Sequence, residues 1–171
     1  LSQVLFRRAA VRDLPALRDL VEGTYRGERA RAGWTHEADL LSGERTSDVE
    51  LAAVLANPAQ AMLVAEQDGA VIGTVTITRA APGKAYLGML SVAPQRQAGG
   101  LGRALIAAAE GEAVRCFGSN VMEMTVIDRR AELIAWYERR GYRRTGETRP
   151  FPYVPAAPAD FAMVVLERAL T

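Results

Sequence analysis

From Leu87 to Ile106 the chain reads LGMLSVAPQRQAGGLGRALI. An apolar, strand-like run breaks at Pro94, passes through Gln97-Ala98-Gly99-Gly100-Leu101-Gly102, and opens an Ala/Leu-rich helix. A helix start leaves backbone N–H groups unpaired and carries a partial positive charge, and glycines remove the Cβ atoms that would hold a bulky anion away. Strand, glycine loop and helix N-terminus in succession therefore read as a diphosphate cradle. A P-loop needs Lys-Ser or Lys-Thr directly after its last glycine, and Gly102 is followed by Arg103-Ala104, which disfavours nucleotide triphosphate hydrolysis. A dinucleotide fingerprint starting at Gly100 would place Leu105 at its third glycine, and the nearest acidic partner, Asp128, comes late. The spacing that fits is Gln97-x-x-Gly100-x-Gly102, preceded by Val92-x-Pro94.

A second constellation follows another apolar run, Val121 to Ile127. Leu133, Trp136, Tyr137 and Arg140 fall at i, i+3, i+4, i+7 and make a short amphipathic helix. Gly141 stands where a left-handed cap would stop it. Together the two stretches resemble the GNAT superfamily of acyl-coenzyme A dependent N-acetyltransferases. The first is similar to the family's acyl-coenzyme A loop. The second is similar to its Tyr-x-x-x-Gly-Phe/Tyr helix, here Tyr137-Glu138-Arg139-Arg140-Gly141-Tyr142. Two departures are Ala98, where the loop is often glycine, and Arg130, where many members carry asparagine.

The resemblance implies an α/β fold of the α+β mixed-sheet kind. Its six to seven strands splay between the fourth and fifth, with acyl-coenzyme A in the gap. It also implies that the backbone of Gln97, Ala98, Gly99, Gly100, Leu101, Gly102 and Arg103 holds the pyrophosphate. Leu90 and Val92 would pair with the pantetheine amides like an added strand, and a backbone amide near Leu90 would meet the thioester carbonyl. Acetyl-coenzyme A is the implied co-substrate.

Acyl transfer from a thioester to an amine requires a neutral amine, a donor for the carbonyl oxygen as it gains charge, and a proton for the departing thiolate. Tyr137 is the candidate general acid. Its phenol, with an ordinary pKa of about 10, stays protonated at neutral pH beside a thiolate of about 8.5, so positioning must supply part of the effect. Spacing alone also allows Tyr137 to be a core aromatic, and the motif tips the reading toward catalysis. No Glu or Asp lies on the Tyr86 to Val92 run. A water chain or Glu37, Glu44 or Glu123 would have to take the amine proton. The absent base favours a weakly basic acceptor, such as an α-amine near pKa 8, over a lysine-type amine.

Trp34, Glu37 and Glu44, in the stretch from Tyr25 to Arg45, and Phe151 and Tyr153 after β-breaking prolines are the candidate acceptor wall. The acceptor is an amine-bearing small molecule or peptide. Two other readings stay open. One is a non-catalytic acyl-coenzyme A sensor or interaction module. The other is a transferase for a larger acyl donor, with Leu87 and Met89 setting that pocket.

The 171 residues, 49% of them hydrophobic, suit one domain over 1–171. No apolar run approaches the roughly 18 residues of a membrane span, and Leu1 to Arg8 is too quickly charged for a secretory signal. Cys116 and His36 are the single cysteine and histidine. They argue against a disulfide, a metal site and Ser-His-Asp hydrolysis, and fit a reducing, cytoplasmic setting. With 21 basic against 20 acidic residues, the chain has no overall attraction for nucleic acid.

Periodicity and turn residues predict strands at Val4–Arg8, Ala61–Gln67, Ala70–Thr78, Tyr86–Val92, Val121–Ile127, Tyr142–Glu147 and Phe161–Glu167. Helices are predicted at Asp13–Glu22, Val49–Ala56, Gly102–Cys116 and Glu132–Arg140, with a short one over Thr35–Leu41. Asp13 would cap the first of these and Gly23 would end it. Asp68-Gly69 predicts a tight hairpin turn. The proline-rich Arg149–Pro155 would end its strand, and an edge strand at the C-terminus would offer a route to a homodimer.

Overall fold

The computed structural model describes residues 3–31, 47–96, 99–150 and 162–170, with the backbone alone of 25–31. In chain order these form β1 (Leu5–Arg8), a 3₁₀ turn (Val11–Asp13), α1 (Leu14–Arg31), α2 (Asp48–Ala56), β2 (Gln60–Gln67), β3 (Ala70–Ala81) and β4 (Lys84–Val92). After them come a 3₁₀ turn at Pro94–Arg96, α3 (Leu101–Phe117), β5 (Val121–Ile127), α4 (Ala131–Glu138), β6 (Arg143–Pro150) and β7 (Ala162–Ala169). The seven strands make one mixed sheet in the order β1-β2-β3-β4-β5-β7-β6.

Side-chain alternation assigns the two faces. Along β2, Ala61, Leu63 and Ala65 enter a core shared with α3 and α4, while Met62 and Val64 enter a second core with Leu17 of α1 and Leu51 of α2. Both faces of β2 are thus buried, and its apolar run is continuous rather than alternating. The β2–β3 turn places Asp68 and Gly69 at φ 54° and 79°, the left-handed pair that an Asp-Gly hairpin uses. Ser47 caps α2 by accepting from the Glu50 N–H at 3.2 Å.

On β3, Gly73 lets α3 approach the sheet. A Cβ there would lie 2.7 Å from Cδ1 of the buried Leu105.

Four expectations are corrected. Gly23 does not end α1, which continues to Arg31. Glycine inside a helix costs only about 1 kcal/mol, and Leu17 and Val21 already seat the helix on the sheet. Asp13 does not cap α1 but closes the preceding 3₁₀ turn, where its carboxylate accepts from the Ala10 N–H at 2.7 Å. β6 does not stop at Glu147. It continues through Pro150, opposite Ala162, because β6 is an edge strand and its proline need not donate to a further neighbour. The C-terminal strand β7 is interior, between β5 and β6, so the sheet's edges are β1 and β6. The helix expected over Thr35–Leu41 lies outside the described residues.

Arg7 of β1 donates to Asp13 (2.8 and 2.9 Å) and to Glu66 of β2 (2.7 Å). This fork ties the edge strand, the 3₁₀ turn and β2 together, and so fixes where α1 begins. The Arg7 hydrogen bonds hold the Asp13 carboxyl below its usual range, against the opposing effect of burial. A carboxyl whose folded value is depressed stabilises the protein fully above its ordinary pKa of about 3.9, and loses that contribution as pH falls through the folded value. Asp13→Asn is therefore expected to lower unfolding free energy by about 1–3 kcal/mol at neutral pH. The gap between variant and parent should close below about pH 4, as read from denaturant melts across pH.

Candidate active site

The sheet opens between β4 and β5. These strands pair in parallel only at Lys84↔Val121, Ala85↔Met122 and Tyr86↔Glu123. β4 meanwhile remains paired to β3 as far as Val92↔Gly73. From Leu87 onward β4 turns an edge toward β5 that forms no ladder with it.

Within this edge lies a bulge. Thr76 pairs with Gly88 and Thr74 with Ser91, so three steps on β4 face two on β3. Met89 takes φ 52°, a left-handed conformation that costs a non-glycine residue about 1 kcal/mol or more. The extra residue resets the alternation. Leu87 and Leu90 both pack toward α3 and α4, while Met89 packs with the α1 and α2 core. Leu90 and Val92 therefore share the α3 face, and the backbone between Gly88 and Ser91 is turned relative to a regular strand.

The glycine loop follows. Gly99 and Gly100 lie in a turn, and Gly100, at φ 79°, is the N-cap of α3. The first helical bond runs from the Ala104 N–H to the Gly100 carbonyl at 3.1 Å. The N–H groups of Leu101, Gly102 and Arg103 therefore precede the helix's own ladder, as in an anion-binding helix start. Leu101 and Leu105 are buried and anchor that start in the core. A Cβ built on Gly102 would meet Cη2 of Trp136 at 3.7 Å and Cγ2 of Val92 at 3.9 Å. The cradle is thus walled by α4 on one side and by the end of β4 on the other. Gln97 and Ala98 lie outside the described residues.

Tyr137 is buried in the same cluster as Leu87 and Val92 of β4 and Met124 and Val126 of β5, the residues that flank the opening. Its ring meets Trp136 edge-on at 5.1 Å and Tyr142 at 6.2 Å. Gly141, at φ 99°, ends the helical segment as its spacing suggested. Tyr142 donates to Glu110 of α3 at 2.8 Å. Burial, followed by the Glu110 charge, pushes its phenol well above the ordinary range, so it remains a donor and a structural member of the site.

On the opposite face, two side chains that sequence reasoning did not single out meet across the opening. Tyr86 OH and Thr125 Oγ1 lie 2.6 Å apart, linking the β4 residue of the last β4–β5 pair to β5 two residues past its partner Glu123. Glu123, on the same face of β5, is 4% exposed and accepts from Arg149 of β6. It is therefore held in an ion pair. Nearby, Thr76 Oγ1 is buried without a hydrogen-bond partner among the described residues. Only register could have exposed this grouping, since Tyr86, Thr125 and Arg149 carry no shared motif. Trp34, Glu37, Glu44, Phe151 and Tyr153 lie outside the described residues.

The arrangement fits an extended acyl-coenzyme A. The loop offers backbone N–H groups to a diphosphate, β4 offers an unladdered edge to the amide-bearing arm, and the opening connects the two faces of the sheet. Among the described residues no helix is long and apolar enough to cross a membrane.

The model of the Acetyltransferase (GNAT) family matches residues 15–142. A comparison with curated proteins found no significant match. Among solved structures, the chain is similar to PaiA N-acetyltransferase from Thermoplasma acidophilum in complex with coenzyme A. That match has a TM-score of 0.74 and 16% identity, covering 98% of this chain and 99% of that one. It is also similar to the ribosomal-protein-S18-alanine N-acetyltransferase from Escherichia coli, with a TM-score of 0.72 and 19% identity over 99% and 95% of the two chains. YncA from Salmonella typhimurium, solved with its cofactor acetyl-CoA, matches with a TM-score of 0.73 and 20% identity over 99% and 95%. These likenesses match the splayed sheet, and the family match spans the strand, loop and helices that build the opening: the chain belongs to the GNAT family of acetyltransferases.

Proposed function

We propose that the protein transfers an acetyl group from acetyl-coenzyme A to a primary amine of a small molecule or peptide by direct attack, with Tyr137 as the general acid. We also read residues 1–171 as a single domain devoted to this reaction. The observation that carries the reading is the parting of β4 from β5 directly upstream of the glycine loop. An amide-bearing chain needs an open strand edge, and a diphosphate needs a helix start, and here one strand leads from the first to the second.

Acetyl-coenzyme A supplies the activated thioester. The chain's own groups do the rest. Backbone N–H groups from Gly100 to Arg103, with Gln97, Ala98 and Gly99 completing the loop, hold the diphosphate. Leu90 and Val92 bind the pantetheine arm through their backbone, and the amide at the Met89 bulge faces the carbonyl oxygen. Such donors, fixed before reaction, stabilise developing charge without reorganisation. Tyr137 protonates the departing sulfur. The amine approaches from the face bearing Tyr86 and Thr125, with Trp34, Glu37, Glu44, Phe151 and Tyr153 as the remaining wall. Arg149 engages Glu123, and β4 carries no carboxylate. The acceptor is therefore one that loses its proton readily, such as an α-amine.

Three outcomes are expected. Gly102→Glu should fold, since the position is not at a positive φ and its Cβ would make ordinary contacts. It should nonetheless weaken acetyl-coenzyme A binding by at least about a hundredfold through like-charge repulsion at the diphosphate. Unchanged affinity by calorimetry would remove the cradle assignment. Tyr137→Phe should lower kcat by about a hundredfold or more in a free-thiol release assay over a panel of amines, with coenzyme affinity nearly unaltered. Equal turnover would make the tyrosine structural. With an α-amine acceptor, kcat/KM should rise with pH through the amine's own pKa of about 8. A rise that stays at one pH across amines of different basicity would indicate a protein base instead.

A further inference from the structure

Tyr86 stands on the sheet face opposite α3, since its neighbours Ala85 and Leu87 enter the α3 core. Its ring leans along the strand. A Cβ built on Gly88 would lie 3.2 Å from the Tyr86 Cε1 and 3.7 Å from its Cδ1, so the ring extends over Gly88 toward the bulge. Only the missing side chain of Gly88 leaves it that room. The hydroxyl is carried forward with the ring and meets Thr125 Oγ1 of β5 at 2.6 Å. Thr125 lies two residues past Glu123, the parallel partner of Tyr86, which puts this hydrogen bond level with Gly88. Met89 is the next residue along β4, about 3 Å farther at the rise of a strand.

The two hydroxyls therefore lie at the mouth of the opening, one residue short of the backbone assigned to the thioester carbonyl. Tyr86, Gly88 and Thr125 are half-buried, so a molecule arriving on this face can reach the pair. The charged groups close by are paired with one another. Glu123 is held by Arg149, and Lys84, two residues before Tyr86, donates to Glu167 at 2.7 Å. Thr76 of β3, opposite Gly88, faces the same side, because Val75 and Ile77 belong to the α3 core. Its hydroxyl is buried without a partner among the described residues. At the level of the bulge this face thus offers neutral hydroxyls.

A hydrogen-bonded hydroxyl pair has lone pairs to spare. A phenol donates more strongly than an alkyl hydroxyl, which gives Tyr86 the donor role toward Thr125. An oxygen that already donates is polarised into a better acceptor. An attacking amine needs an acceptor of this kind, one that holds an N–H while the nitrogen lone pair points at the carbonyl carbon. As the N–C bond forms the nitrogen gains positive charge, and the N–H···O bond becomes charge-assisted. The hydroxyl then contributes more in the transition state than in the ground state.

We propose that the Tyr86 hydroxyl holds the acceptor amine, with Thr125 as the positioning residue that fixes it and Gly88 as the gap that lets its ring reach the bulge. The inference rests on the acetyl-transfer reading above and deepens it by naming the group that orients the nucleophile. Tyr86 takes up no proton in this role. The N–C bond forms and the C–S bond breaks, the nitrogen sheds its proton to solvent, and the sulfur receives one from Tyr137.

The test is free-thiol release at saturating acetyl-coenzyme A, with the best acceptor from an amine panel, on variants that keep side-chain shape. Tyr86→Phe should lower kcat/KM for the amine about ten- to a hundredfold, with most of the loss in kcat. Calorimetry should show acetyl-coenzyme A bound as by the unaltered protein. Thr125→Val, which keeps the shape and removes the hydroxyl, should lose activity several-fold, and Thr125→Ser should regain most of it. A packing role alone predicts the opposite order for these two. Full turnover by Tyr86→Phe, or Thr125→Ser no better than Thr125→Val, would overturn the proposal and leave acetyl transfer standing. No thiol release by the unaltered protein with any amine would remove the acetyl-transfer reading and this role together.

Discussion

The rest of the site depends on two parallel strands that pair for three residues and then part. Backbone N–H and C=O groups carry an obligatory demand for partners, so a strand that leaves its neighbour inside a sheet must be held off it and must meet something else. Here several features act together. β4 stays laddered to β3, the Met89 bulge turns its backbone, and α3 sits close enough, over Gly73, for Leu101 and Leu105 to pin the end of the strand. On the other face the Tyr86–Thr125 hydrogen bond spans the opening where the pairing ends. An edge presented in this way suits strand-like binding of an amide-bearing chain, in which main-chain hydrogen bonds give affinity.

The opening also divides the chemistry between the two faces of the sheet. The α3 and α4 face carries the helix start, Tyr137 and, beyond them, Arg103, Arg139, Arg140 and Arg168. The opposite face carries the Tyr86 and Thr125 hydroxyls and the Glu123–Arg149 pair. Charge is thus segregated in a chain whose total is close to neutral. The segregation arises from register, since alternate residues of β4 and β5 face opposite sides.

Much of the fold was legible because its signals are local. Asp68-Gly69 between two strands and Gly141 after Tyr137 each satisfy a backbone requirement within a few residues. The glycine loop was legible for the same reason. What misled was local evidence overruled by tertiary context. Gly23 is a weak helix breaker outweighed by buried Leu17 and Val21, and Pro150 is compatible with a strand that happens to lie at an edge. The interior position of β7 could not be read, because strand order is a property of the whole sheet. Tyr86 and Thr125 were missed on the same ground. Each matters through a partner far away in sequence.

The most direct measurement is amide hydrogen exchange of the protein with and without acetyl-coenzyme A, resolved along β4 and the start of α3. Slowed exchange at Gly88 to Val92 together with Gly100 to Arg103 is expected if the coenzyme adds itself to the opened edge and its diphosphate sits on the helix start. Saturating coenzyme that leaves both segments unprotected, or protects only residues elsewhere, would contradict the assignment of the opening as the acyl-coenzyme A site.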